Sequence, residues 1–192
     1  MNDFVLRAKY WQVFLCLLAP RFASWFVTDN DVDTALTFSS VLIMLLWLTL
    51  LVSALSRMQY DIRGCNYKFL LINVFLVSIA FGYSAVADDP DFQLSSSSFK
   101  ASGIGSLIIL YILFAYMHAH WFPASLLVAK ETGNRPDVSQ VVVPFLALFF
   151  WPIGIWFVQP RVNKLWNDKQ WEKQAITRLG SQDTIDENDS SG

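Results

Sequence analysis

"LTFSSVLIMLLWLTLLVSALS", Leu36 to Ser56, is the stretch whose reading decides the fold. It holds no Asp, Glu, Lys or Arg. As a helix rising 1.5 Å per residue it crosses the roughly 30 Å hydrocarbon layer of a bilayer. Two further runs pass the same test: Phe69–Ala87 ("FLLINVFLVSIAFGYSAVA") and Ile104–Phe122 ("IGSLIILYILFAYMHAHWF"). The composition agrees, since 54% of the 192 residues are hydrophobic and 16% are charged, with a mean hydropathy of +0.39. Soluble domains carry roughly 25% charged residues. The expectation is an all-α transmembrane helix bundle, a multi-pass chain whose first partner is the lipid bilayer. A net charge of −2 leaves no global basic surface for nucleic acid.

Two other apolar runs are interrupted. Tyr10–Thr28 is long enough to span, but Pro20 and Arg21 fall near its middle, and a charge there costs a few kcal/mol on insertion scales. Arg7 and Lys9 followed by "YWQVFLCLLAP" imitate a signal peptide. No small-x-small cleavage site follows, so the segment reads as retained. The second interrupted run is Val141–Gln159. Pro152 lacks the N–H its helical turn needs, and Gly154 supplies the freedom for a sharp bend.

Loop charges arbitrate between a crossing and a return. Asp29, Asp31 and Asp33 fill the first linker, Arg57, Arg63 and Lys68 the next, and Asp88–Ser102 is acidic with Lys100 as its one base. The linker Ala124–Gln140 returns to Lys130 and Arg135. Acidic and basic loops alternate as the positive-inside bias predicts for about four spans, near 10–28, 36–56, 69–87 and 104–122, with the N-terminus inside. If Val141–Gln159 crosses, seven bases lie inside (Arg7, Lys9, Arg57, Arg63, Lys68, Lys130, Arg135). Six lie outside, namely Lys100 with Arg161, Lys164, Lys169, Lys173 and Arg178. If it returns, the inside holds twelve and the outside one. The expectation is therefore a proline-broken re-entrant hairpin over 141–159 rather than a kinked fifth span, ending at Pro160, with both termini cytoplasmic. Residues 161–179, "RVNKLWNDKQWEKQAITRL", place Val162, Leu165 and Trp166 on one helical face, which predicts an amphipathic surface helix. The acidic "SQDTIDENDSSG", 181–192, reads as a disordered tail.

Trp11 and Phe14 near the N-terminus, Glu131 in "LLVAKETG" and "PIGIWFVQPRVN" from Pro152 to Asn163 together resemble a pattern of small bacterial polytopic membrane proteins. The similarity covers about a third of the chain. It implies the bacterial inner membrane and implies no activity.

Candidate chemistry is sparse. His118 and His120 in "MHAHW" are two apart, which points them to different helix faces, whereas a metal pair wants a spacing of three or four. Cys16 and Cys65 form no metal or redox motif. Asn73, Ser78, Tyr83 and Ser84 on one span, and Ser106, Tyr111 and Tyr116 on another, either line a polar cavity or bond helix to helix, the commoner use. Glu131 has two prospective partners, Arg135 four residues on and Arg161 beyond the break. Arg21 is a fully charged group at membrane depth. It is a functional candidate by default, with a structural alternative in which it satisfies carbonyls of a helix broken at Pro20. No residue pattern calls for a cofactor, and no Gly-rich phosphate loop or catalytic elbow is present. Pro152, Gly154, Pro160 and Arg161 stand as candidate hinge residues, and Arg21, Asn73, His118, His120 and Glu131 as candidate polar contacts. The leading expectation is a non-enzymatic accessory, regulatory or immunity-type subunit with a membrane or toxin-type protein partner. The alternatives are a small transporter or channel built by homo-oligomerisation, and an intramembrane enzyme using His118, His120 and Glu131.

Overall fold

The computed structural model describes residues 7–58, 67–87, 89, 91–94, 99–150, 154–171 and 174. Within them the order is α1 (Tyr10–Ser24), α2 (Asn30–Ser56), α3 (Tyr67–Val86), β1 (Phe92–Leu94), β2 (Phe99–Ala101), α4 (Ile104–Thr132), α5 (Val138–Phe149) and α6 (Gly154–Trp171). The fold is an all-α bundle with one two-stranded hairpin. Three helices, α2, α3 and α4, are long and apolar enough to cross a membrane, and the bent pair α5–α6 makes a fourth if counted as one span. These are the helices of a multi-pass membrane protein.

Each observed boundary has a local cause. α2 begins six residues before the apolar run, because Asp29 caps it: Asp29 Oδ1 accepts from the amides of Asp31 (2.9 Å) and Val32 (3.2 Å). Asp31 and Asp33 then face the positive end of the helix dipole, so the acidic linker is largely a first turn. α1 stops at Ser24 rather than Thr28, and at 15 residues it is about 22 Å long, short of a full hydrocarbon crossing. It runs unbroken through Pro20. Among the described residues Arg21 bonds a side chain and not the carbonyls of its own helix: its Nη1 donates to Thr37 Oγ1 on α2 at 3.2 Å.

α4 shows the largest departure. The sequence reading ends it at Phe122, before Pro123, yet it continues through that proline to Thr132 and closes on Gly133 in the left-handed conformation (φ 70°). The added turns are buried almost all round, from Ala124 to Lys130, which compensates for the bond Pro123 cannot make. The stretch 124–140 is therefore mostly helix rather than loop. The loop 88–102 likewise holds structure. Phe92 pairs with Ala101 and Leu94 with Phe99, and Phe92 and Leu94 turn inward onto the end of α3. There the Leu94 amide donates to Ser84 Oγ at 2.6 Å.

α2 is the centre of the core, with Leu45, Leu48, Leu51 and Leu55 no more than 1% exposed. Its packing on α4 is parallel and in register: Tyr116 Oη donates to Met44 Sδ (3.9 Å), and Lys130 Nζ to the Met58 carbonyl. Both contacts join residues 72 apart in sequence.

Between α5 and α6 the chain turns by 119°. The break falls at the expected place; Pro152 itself lies outside the described residues. α6 then runs on without interruption past Pro160, so the expected surface helix beginning at Arg161 is the continuation of the second arm. Pro160 is exposed, and its ring sits on the outer side of the helix. The predicted stretch 172–179 and the tail 181–192 lie outside the described residues, apart from residue 174.

Candidate functional site

The polar groups of the C-terminal motif converge on one end of the bundle. Arg161, on α6, engages Glu131 at the end of α4 side-on: Nε donates to Oε1 at 2.7 Å, and Nη2 pairs with Oε2. Glu131 thus takes the more distant of its two prospective partners. Gln159 is fully buried, and its Nε2 donates to the Ala8 carbonyl at 3.0 Å; Asn163 Nδ2 reaches the same carbonyl at 3.4 Å. Alongside, Trp156 lies against Tyr10 (ring centroids 4.7 Å apart) and Phe14 (6.0 Å). The second arm is therefore clasped to α1 on one side and α4 on the other.

The contacts of the two arms trace their path along the bundle. α5 starts five residues after Gly133, its far end carries Phe149 against His120 (5.8 Å), and α6 comes back to Glu131, eleven residues beyond His120 on α4. The pair enters from one end of the bundle and returns to it. Gly154 permits the crossing: a Cβ there would overlap the Ala147 carbonyl. The arms enclose a groove of about 440 Å³, lined by Leu146 and Ala147 on α5, by Phe150 just past its end, and by Gly154, Phe157 and Arg161 on α6, among others.

A second constellation lies on the opposite side of α4. Asn73, on α3, is fully buried and links two residues of α4: Tyr111 Oη donates to its Oδ1 at 2.9 Å, and its Nδ2 donates to His118 Nδ1 at 3.1 Å. Because Nδ1 accepts, the proton of neutral His118 resides on Nε2. The ring stands half-exposed among Phe69 (5.0 Å), Phe122 (5.9 Å) and Phe114 (6.2 Å). His120 has the opposite tautomer. Its Nδ1 donates to the Tyr116 carbonyl at 2.8 Å, leaving Nε2 as a buried acceptor without a hydrogen-bond partner among the described residues; the Trp47 Nε1–H, a donor, is likewise buried and unpartnered among them. The register of α2 on α4 sets Trp47 and His120 in one layer of the core. The two histidines diverge, and among the described residues no three His, Cys, Asp or Glu side chains come together as a metal set.

The remaining predicted polar groups serve local structure. Ser78 bonds the Val74 carbonyl of its own helix (2.8 Å), Tyr83 bonds Asp89 (3.0 Å), and Ser106 bonds the Ala101 carbonyl (3.3 Å). The sequence reading missed Gln159, Asn163 and Lys130, whose partners are main-chain carbonyls without a side-chain signature. The one signal available was the presence of Gln159 and Asn163 four apart, one at the end of an apolar run and the other one turn on. No family model, no curated protein and no solved structure matches the chain.

Proposed function

We propose that this is an integral membrane protein that acts through contact with a second membrane protein, as an accessory, regulatory or immunity-type subunit, rather than by catalysis. The observation that carries the reading is the contrast between the two constellations. The clasp bonds Glu131, Gln159 and Asn163 to groups of the same chain, whereas Asn73 fixes partly buried His118 so that its Nε2–H donor is without a partner among the described residues. The same two helices, α3 and α4, expose Phe75, Ile79, Leu110 and Phe114. A donor at membrane depth wants an acceptor, and side chains that bond across helices are how membrane helices recognise one another. On the strength of "PIGIWFVQPRVN" and the segregation of basic residues, we place the chain among small bacterial inner-membrane proteins with both termini cytoplasmic.

The test is site-specific photo-crosslinking in native membranes. A crosslinker at Phe75 or Phe114 is expected to trap one protein of defined mass, a crosslinker at the exposed Leu46 on α2 is not, and His118→Ala is expected to remove the adduct. Lipid adducts alone from Phe75 and Phe114, unchanged by His118→Ala, would refute the reading. The bent α5–α6 pair favours a second reading, a small oligomeric transporter or channel, since broken helices are where transporters place binding sites. Solute flux in liposomes holding the purified protein is its test.

A further inference from the structure

The groove between α5 and α6 has an apolar floor and a cation at one end. Gly154, Phe157 and Arg161 fall at helical spacing on one face of α6, so Arg161 lies about 10 Å along the groove from the crossing point. The far wall is Leu146, Ala147 and Phe150, also apolar. Side-on pairing with Glu131 occupies Arg161 Nε and Nη2 and leaves Nη1 without a partner among the described residues. The side chain is 37% exposed. Lys164, exposed one turn further along α6, adds a second positive charge next to it.

We propose that this groove is a binding site for one anionic phospholipid, with an acyl chain between the arms of the hairpin and the phosphate on Arg161 Nη1. Three features favour a lipid over other occupants. The walls offer hydrocarbon and almost no hydrogen-bonding group, which excludes a polar solute from the floor. The arms belong to a segment that enters and leaves by the same end of the bundle, so the cationic end of the groove lies where that leaflet's headgroups are, and its apolar floor lies deeper. The free guanidinium edge matches a phosphate oxygen in geometry and charge. Glu131 holds the guanidinium in position and opposes the anion, so it limits the affinity of the site.

The experiment is native mass spectrometry of the full chain in mild detergent, offered phosphatidylglycerol or phosphatidylcholine with identical chains. Phosphatidylglycerol is expected to be retained about tenfold better, the worth of one charge-assisted hydrogen bond. Leu146→Trp, which fills the groove, is expected to remove that preference, and Glu131→Gln to strengthen it. A chain-length series on the unaltered protein keeps the test independent of whether Leu146→Trp folds: from sixteen-carbon to six-carbon phosphatidylglycerol, retention is expected to fall by about fourfold for each CH₂ withdrawn from the groove. Four results would each overturn the site. These are equal retention of the two headgroups, a preference untouched in folded Leu146→Trp, no dependence on chain length, and displacement of the lipid by glycerol phosphate alone. A crosslink from Phe157 to a second copy of the chain in place of lipid would also overturn it.

Discussion

A methyl group at Gly154 would overlap the Ala147 carbonyl, because the arms of the hairpin cross main chain to main chain there. Backbone cannot step aside as a flexible side chain does, so Gly154→Ala is expected to cost more than the roughly 1–3 kcal/mol of ordinary overpacking. Gly82→Ala is the control. Its new Cβ meets the Phe38 ring at 3.3 Å, which the ring can yield, and helix propensity favours Ala by about 1 kcal/mol. Thermal unfolding in detergent is expected to show a large loss for the first variant and little change for the second; equal effects would place the crossing elsewhere. The buried polar residues divide in the same way. Asn73→Val strands Tyr111 and His118, and membrane hydrogen bonds average about 0.6 kcal/mol, so a loss of about 1 kcal/mol is expected for two. His120 already carries an unsatisfied buried nitrogen, so His120→Phe is expected to leave stability level or raise it. A clear loss of stability in His120→Phe would mean that Nε2 has a partner in the membrane.

At the scale of elements, the apolar runs carried their message in full and the helix ends did not. Three spans are legible because long uncharged stretches have one stable fate in lipid. The ends depend on features that hydropathy does not weigh. Asp29 looks like loop until it is recognised as a cap, and Pro123 looks like a stop until burial on all sides of Ala124–Lys130 outweighs the bond it forfeits. Pro160 misleads in the same way, since a proline on the exposed side of α6 need not end the helix. The clasp was half legible: the charges of Glu131 and Arg161 advertise a pair, whereas Gln159 and Asn163 seek the carbonyl of Ala8, which no sequence pattern marks. The halves of the clasp differ in strength as well. The ion pair is partly exposed, so a double-mutant cycle of Glu131→Gln with Arg161→Gln is expected to give a coupling of about 1 kcal/mol or less, diminishing with salt. Gln159→Leu removes a buried donor from a carbonyl, and a loss of about 1–3 kcal/mol, insensitive to salt, is expected. A coupling larger than the Gln159 effect would reverse this ranking.

For the whole molecule, the contacts sort the chain into two ends. Ala8, Met58, Lys130, Glu131 and Arg161 meet at one, through the bonds of Gln159, Lys130 and Arg161. The turn at Trp25–Asp29, the end of α3 and the β-hairpin with Asp89, Asp91 and Lys100 form the other. α1, although only about 22 Å long, therefore connects the two ends, and Trp25 and Phe26, 73% and 74% exposed, occupy the boundary where it falls short. Among the described residues the loop bases follow the same division, with Arg7, Lys9, Arg57, Lys68, Lys130, Arg135, Arg161 and Lys164 toward the first end and Lys100 at the second, where Arg21 on α1 bonds Thr37 near the start of α2. Moving basic loops across a membrane is disfavoured, so the first end is expected to face the cytoplasm. Single cysteines in a background lacking Cys16 and Cys65 test this. Asn134→Cys and Lys164→Cys are expected to react with a membrane-impermeant maleimide only after the cells are opened, and Gln93→Cys in intact cells. Because 134 precedes α5 and 164 lies in the second half of α6, they also test the path of the bent pair. If they label from opposite sides, α5 and α6 together cross the bilayer, and the clasp of Arg161 on Glu131 cannot form in the membrane.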